Sequence, residues 1–249
     1  MEITFDPSDF IKTITELQKV QIPRAGAIAL NKAAFEARKE LSRQTEKRFY
    51  RPVPLTQNAF NYDKATEDKL QARVYVRDWI TKGNSPSRYL GPQIFGTQMY
   101  RTRFQKALGY TPNPDDGSPI LAPNRVMIPT ASPMVRRNKY VNMSPGQYTQ
   151  ILSSLRGESS AGNKIAKPGK GRNKSSARYF YISQEMLDDQ YRNLKSQTPG
   201  IFLSQNGRLN KVMTESRLPS YNPRFPFFDI ARTTFEMQFA RTFSSLVLR

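Results

Sequence analysis

The chain has 249 residues, with 39 Lys and Arg against 20 Asp and Glu, a formal net charge of +19, and neither His nor Cys. Those two absences exclude thiolate nucleophiles, Cys/His zinc sites, Ser-His-Asp triads and imidazole acid–base chemistry. The cationic excess points to nucleic acid, an anionic surface or an acidic protein as partner, and leaves the fold open.

The opening Met1-Glu2-Ile3-Thr4-Phe5-Asp6 has neither the basic start nor the apolar run of a signal peptide. No stretch approaches the roughly 18 apolar residues of a membrane span. The expectation is a soluble protein, without membrane contact, made without classical secretion. With no Cys there is no disulfide, which leaves the redox compartment open. Asp6-Pro7 opens a short helix carrying Phe10, Ile11, Ile14 and Leu17 at helical spacing. Pro23 starts a longer helix running to about Arg48, with Ala27, Leu30, Ala34, Ala37 and Leu41 stepping by three and four. Its alanines permit close approach of a neighbour, either the protein's own sheet or a second copy.

Pro52 and Pro54 end that unit. From Gln71 to Ile80 the residues alternate, with Ala72, Val74 and Val76 on one side and Arg73, Tyr75 and Arg77 on the other, which predicts a half-buried strand. Further strands are expected at Asn124 to Ile128 and Arg178 to Ile182. A hairpin is expected from Gly200 to Ser204 and Arg208 to Met213, turned by Asn206-Gly207, since a type I′ turn needs positive φ at both central residues. A closing helix from about Phe227 to Leu246 carries Ile230, Phe235, Phe239 and Phe243. Between Lys82 and Ala177 strands are few and Pro, Gly and small residues frequent, with short helices at Thr97 to Leu108 and Pro145 to Leu155. The predicted fold class is α+β, with the long N-terminal and C-terminal helices packed on an antiparallel sheet and extended loops as arms. The predicted organisation is one structural domain, its core from about residues 1–81 and 178–249, with a loop-rich insertion over about 82–177.

Lys164, Lys167, Lys170, Arg172, Lys174 and Arg178 lie in a Gly/Ser/Asn-rich run with no acid from Ala161 to Ile182. Flexible cations of this kind neutralise phosphates, dock on an acidic protein, or simply solubilise a loop. The adjacent Tyr179, Phe180 and Tyr181 read either as a base-stacking platform or as a strand with one buried face. Asp115-Asp116 and Asp188-Asp189, with Glu185 nearby, are the carboxylates from which a Mg²⁺ site would be built. Neighbouring acids diverge on most backbones, so no catalytic, cofactor or metal site is expected. Gly169-Lys170-Gly171-Arg172 does not match a phosphate-binding loop.

Ile22-Pro23-Arg24-Ala25-Gly26-Ala27-Ile28-Ala29-Leu30-Asn31-Lys32 resembles the opening helix of the phage minor tail protein Z family. Pro199-Gly200-Ile201-Phe202 and Asn206-Gly207-Arg208 are similar to that family's Pro-Gly-x-Phe strand and Asn-Gly-Arg turn, and Arg224-Phe225-Pro226 leads into a similar closing helix. The resemblance covers roughly Ile22 to Arg48 and Tyr179 to Arg249. Ser85-Pro86-Ser87-Arg88-Tyr89-Leu90 and Asn142-Met143-Ser144-Pro145-Gly146-Gln147 are similar to stretches in longer prophage-encoded relatives. It implies a non-enzymatic virion protein for tail completion or head–tail joining, assembled in the host bacterial cytoplasm. The implied partners are further copies in a ring of six or a multiple of six, as phage tails are generally built, portal or connector and tail proteins, and genomic DNA in non-specific contact. The alternative is a non-enzymatic basic nucleic-acid-binding protein.

Overall fold

The structure, a computed structural model, describes residues 20–81, 83–113, 116–159, 178–191, 197–205 and 207–247. The short helix expected from Asp6 lies outside the described residues. The architecture is α+β, with a long N-terminal helix, a long C-terminal helix and antiparallel sheets. The chain divides into two compact units, one formed by Met1–Thr97 with Asn222–Arg249 and the other by Gln98–Tyr221. The expected division, a core with an appended insertion, does not describe it.

In the first unit, helix α1 (Ile22–Arg48) starts with a proline in its first turn and ends on Lys47 and Arg48, which complement the negative end of the helix dipole. Ala25, Ala29, Ala33 and Ala37 follow one another at every fourth residue, and all are buried. Side chains four apart lie on one face, and a face of methyl groups lets a neighbouring backbone come close. That neighbour is the closing helix α7 (Phe227–Val247), which runs antiparallel: Phe225 and Phe227, at its start, pack with Leu41 near the end of α1. The expected partner, a sheet, contributes the second contact. Strands β1 (Phe60–Asp63) and β2 (Arg73–Val76) form an antiparallel hairpin against α1, pairing Phe60 with Val76 and Asp63 with Arg73. Asn31 fixes the intervening loop, its amide donating to the Ala65 carbonyl at 2.9 Å and accepting from the Ala65 N–H at 2.7 Å. The alanine face is thus occupied within the chain and is not a self-associating seam.

Two short helices also belong to this unit among the described residues: α2 (Pro54–Gln57) and α3 (Pro86–Phe95). Helix α3 falls where loop was expected. It ends on Gly96 at φ +70°, whose N–H closes on the Pro92 carbonyl.

The second unit holds α4 (Arg103–Leu108), β3 (Arg125–Pro129), α5 (Pro145–Ser159), β4 (Arg178–Ile182), α6 (Gln184–Asp189), β5 (Gly200–Gln205) and β6 (Arg208–Arg217). Its sheet is antiparallel in the order β3-β6-β5-β4. The four expected strand regions therefore do not share one sheet: β2 belongs to the hairpin of the first unit. Up to Ser159, the segment expected to be a loop-rich insertion is a packed body. Leu108, Ile120, Leu121, Met127, Val135, Met143, Ile151 and Leu155 supply eight of the thirteen buried residues in the main core. The rest come from the sheet: Tyr179, Ile201, Leu203, Val212 and Met213. The opposite face carries Phe180, Ile182 and Phe202, covered by Leu187 of α6. Both faces of β4 are apolar, where one buried face was expected.

Gly200 and Gly207 are the two glycines the sheet requires. A Cβ on Gly200 would stand 2.1 Å from the Met213 carbonyl oxygen on β6. Gly207 adopts φ +73°, as its place in the turn demands, while Asn206 lies outside the described residues. Just beyond Gly200 the register slips between Ile201, opposite Met213, and Phe202, opposite Lys211, so that Val212 is the extra residue of a bulge.

Candidate functional site

Within the second unit, a groove of about 600 Å³ lies between α5, the loop after β3, and strands β4 and β5. Gln150, Ser153 and Ser154 of α5, at i, i+3 and i+4, share one helical face along it. Arg136 comes from the loop, Tyr179 from β4, and Leu203 and Gln205 from β5. Among the described residues that line it, none is acidic.

A single buried side chain assembles these walls. Gln147, at 0% exposure, accepts from the Arg136 backbone N–H at 2.7 Å. Its own amide donates to the Met134 carbonyl at 2.8 Å and to the Tyr179 hydroxyl at 3.1 Å. One amide thereby ties the loop and β4 to the first turn of α5. Glutamine suits the position because it carries both an acceptor and two donors.

The polarity of the lining follows from Arg136. Its guanidinium donates to Gln150 Oε1. A guanidinium can only donate, so the amide oxygen of Gln150 is committed to it and the NH₂ group is left to donate elsewhere. Ser153 and Ser154 have no hydrogen bond among the described residues. The groove therefore presents cationic and neutral donors, chemistry that suits acceptor-only oxygens.

Arg178 is the one residue of the expected basic set that the structure places: it opens β4, is exposed and pairs with Ser204 in register. Gln205 pairs with Arg208, so Arg178 and Arg208 stand at the same end of the sheet as the groove. Lys164, Lys167, Lys170, Arg172 and Lys174 lie outside the described residues. So does Asp115.

The remaining carboxylates come together more than sequence reasoning allowed, yet not as a metal site. Asp116, Glu185 and Asp189 line a second groove of about 390 Å³ with Asn113, Ser183, Met186 and Gln190. Asp116 caps its own turn, accepting from the Ser118 hydroxyl at 2.7 Å and the Ser118 N–H at 2.9 Å, which holds its carboxyl below the usual range. Asp188 faces Gln184. Among the described residues no three such side chains converge closely enough to hold a metal ion.

The aromatic trio is divided by the period of the strand. Tyr179 is 6% exposed and packs in the main core, so it is not a base-stacking platform. Phe180 stacks on Phe202 with ring centroids 6.4 Å apart. Tyr181 donates to Glu215 Oε2 at 2.8 Å while Arg125 Nε donates to Glu215 Oε1 at 2.7 Å. Burial, then the Glu215 carboxylate, raises the Tyr181 phenol well above its ordinary range.

Sequence reasoning missed Arg136 and Gln147, the two residues that build the first groove. No family description, curated protein or solved structure matches the chain. Among the described residues no helix is long and apolar enough to cross a membrane.

Proposed function

We propose that this chain is a non-catalytic structural component of a bacteriophage particle, acting at the tail or the head–tail joint by association with its own copies and with neighbouring virion proteins. The observation that carries the assembly reading is the apolar surface that α7 leaves incompletely covered. Phe235, Phe239 and Phe243 form a stacked ladder, with centroids 6.3 and 5.5 Å apart, and all three remain only half-buried. Met237, Leu246 and Val247 of the same helix are exposed. Completing the burial of one phenylalanine is worth about 1 kcal/mol, so a ladder of three makes a useful contact surface. The phage assignment draws on the motif resemblance at Ile22-Pro23, Pro199-Gly200 and Arg224-Phe225-Pro226. A closed ring is the usual way for identical chains to satisfy such surfaces, and the way phage tails are generally built sets the expected copy number at six or a multiple.

The test is mass spectrometry of purified particles carrying this chain's gene, with sedimentation velocity on the isolated protein. The reading expects the chain in the particles, and expects Phe239→Ser to lower the assembly state. A chain absent from the particles refutes the virion assignment. A second reading, a free basic nucleic-acid-binding protein, is favoured by the second unit's charge, 19 Lys and Arg against 7 Asp and Glu, a net of +12.

A further inference from the structure

We propose that the groove between α5 and β4 binds the phosphodiester backbone of nucleic acid, with Arg136, Gln150, Ser153 and Ser154 as the contacting residues. Three observations converge on it. First, the lining is donor-biased by construction: Arg136 consumes the Gln150 oxygen, and the NH₂ of that amide and the two serine hydroxyls are left for a ligand. The non-bridging oxygens of a phosphodiester only accept. Second, the geometry is set in advance by the buried Gln147, which holds the Arg136 backbone, Met134 and Tyr179 in place before any ligand arrives. Third, the surrounding field is positive. Arg178 and Arg208 stand at this end of the sheet, no acid is among the described residues that line the groove, and the unit carries a net charge of +12.

A repeating polyanion is favoured over an acidic protein because the charge to be matched is high and three of the groove's polar side chains follow one another along a single helical face. Gln150 to Ser154 spans about 6 Å along the helix axis, enough for a sugar-phosphate to lie lengthwise. A nucleic acid supplies a charge at every nucleotide, whereas a folded acidic surface supplies isolated carboxylates each needing its own partner. Contacts made to phosphate alone carry no base information, so recognition on this reading is blind to sequence.

The test is fluorescence anisotropy of the full chain with labelled duplex DNA of two unrelated sequences, titrated over a range of salt. The parent should bind both alike. Arg136→Ala should weaken both about tenfold and reduce the slope of log K against log salt by about 0.9, the share of one phosphate contact. Ser153→Asp, a change on an exposed helical position, should weaken binding at least as much, with an unchanged melting temperature showing that the fold is intact. Arg73→Ala removes the same charge from the first unit, where Arg73 is paired with Asp63 at 2.8 Å, and should leave binding nearly unchanged. Equal losses in Arg73→Ala and Arg136→Ala would mean that net charge alone is at work and overturn the groove. So would tight binding of polyglutamate in place of DNA. The inference is separable from the assembly reading, since loss of DNA binding and absence from particles are measured independently.

Discussion

Replacing Gly200 by alanine tests the central geometry of the second unit with the smallest possible probe. The added Cβ would lie 2.1 Å from the Met213 carbonyl oxygen, 3.2 Å from its carbonyl carbon and 3.0 Å from Lys211 Cε. The lysine chain can swing aside; the carbonyl cannot, because β6 is held between β3 and β5. Ordinary contact requires about 1 Å of separation at the β5–β6 seam. Overpacking of this kind costs about 1–3 kcal/mol, and each ladder hydrogen bond lost in the separation adds about 1 kcal/mol. A total near 3 kcal/mol lowers the melting transition of a unit this size by roughly 10 °C. Scanning calorimetry of the full chain reads this directly, since two units can give two transitions. Gly157→Ala is the matched control: it lies in α5 with nothing within 4 Å of its would-be Cβ, and should stabilise by about 0.5–1 kcal/mol through helix propensity. A Gly200→Ala protein melting within about 2 °C of the parent would refute the reasoning.

Gly96→Ala should destabilise the first unit by about 2–4 kcal/mol in urea unfolding, because φ is +70° and the new Cβ would meet Pro223 Cδ at 2.6 Å. Gln147→Leu should cost the second unit about 3 kcal/mol, since the Arg136 N–H and the Met134 carbonyl lose a buried partner; it should also weaken duplex binding by releasing Arg136. Tyr89, Tyr148 and Tyr181 all have phenols raised by burial. A folded value above the unfolded one gives stability that is present below about pH 10 and lost as pH rises beyond it. Urea midpoints should therefore fall above about pH 10, less steeply in Tyr181→Phe, and ultraviolet titration should show these three phenols ionising above the ordinary range.

What the sequence made legible was what has a period or a turn signature. The 3.6-residue recurrence of alanines gave α1, the phenylalanines gave α7, and Asn206-Gly207 between two apolar runs gave β5 and β6 as a hairpin. Pairing beyond adjacent strands was not legible, because alternation at Arg73 to Val76 predicts a strand and says nothing of its partner. The alanine stripe likewise predicted a close neighbour without showing that it would be a helix. Strand β1 carried a usable signal, Phe60 and Tyr62 alternating with Asn61 and Asp63, but at four residues it is too short to stand out. Helix α3 was hidden by Gly91 and Pro92 inside it. The core of the second unit was missed for a different reason: Ile120, Leu121, Val135 and Met143 sit in irregular segments, where burial has no periodicity. Gln147 stands three residues after Ser144, the spacing of a capping box, and that local pattern conceals its use as a bracket between distant elements.

The charge balance joins the groove to the proposed role. With 20 acids for 39 cations, one-to-one pairing would still leave 19 cations unmatched. Pairs such as Glu40–Arg43 at 2.5 Å and Asp63–Arg73 at 2.8 Å are of the exposed kind that adds little to stability. A compact body holding this much like charge is strained by self-repulsion, so the excess is not a device for folding. It is a cost that a polyanionic partner would offset, and the second unit, with +12 of the +19, is where that cost is concentrated. The first unit has a different surplus, the apolar ladder on α7. The two units thus carry two kinds of unsatisfied surface, which the proposed reading answers by burial against protein for one and by phosphate for the other. Assembly through the first and nucleic-acid contact through the second are compatible demands on one chain, and a joint through which a genome passes is a setting that makes both at once.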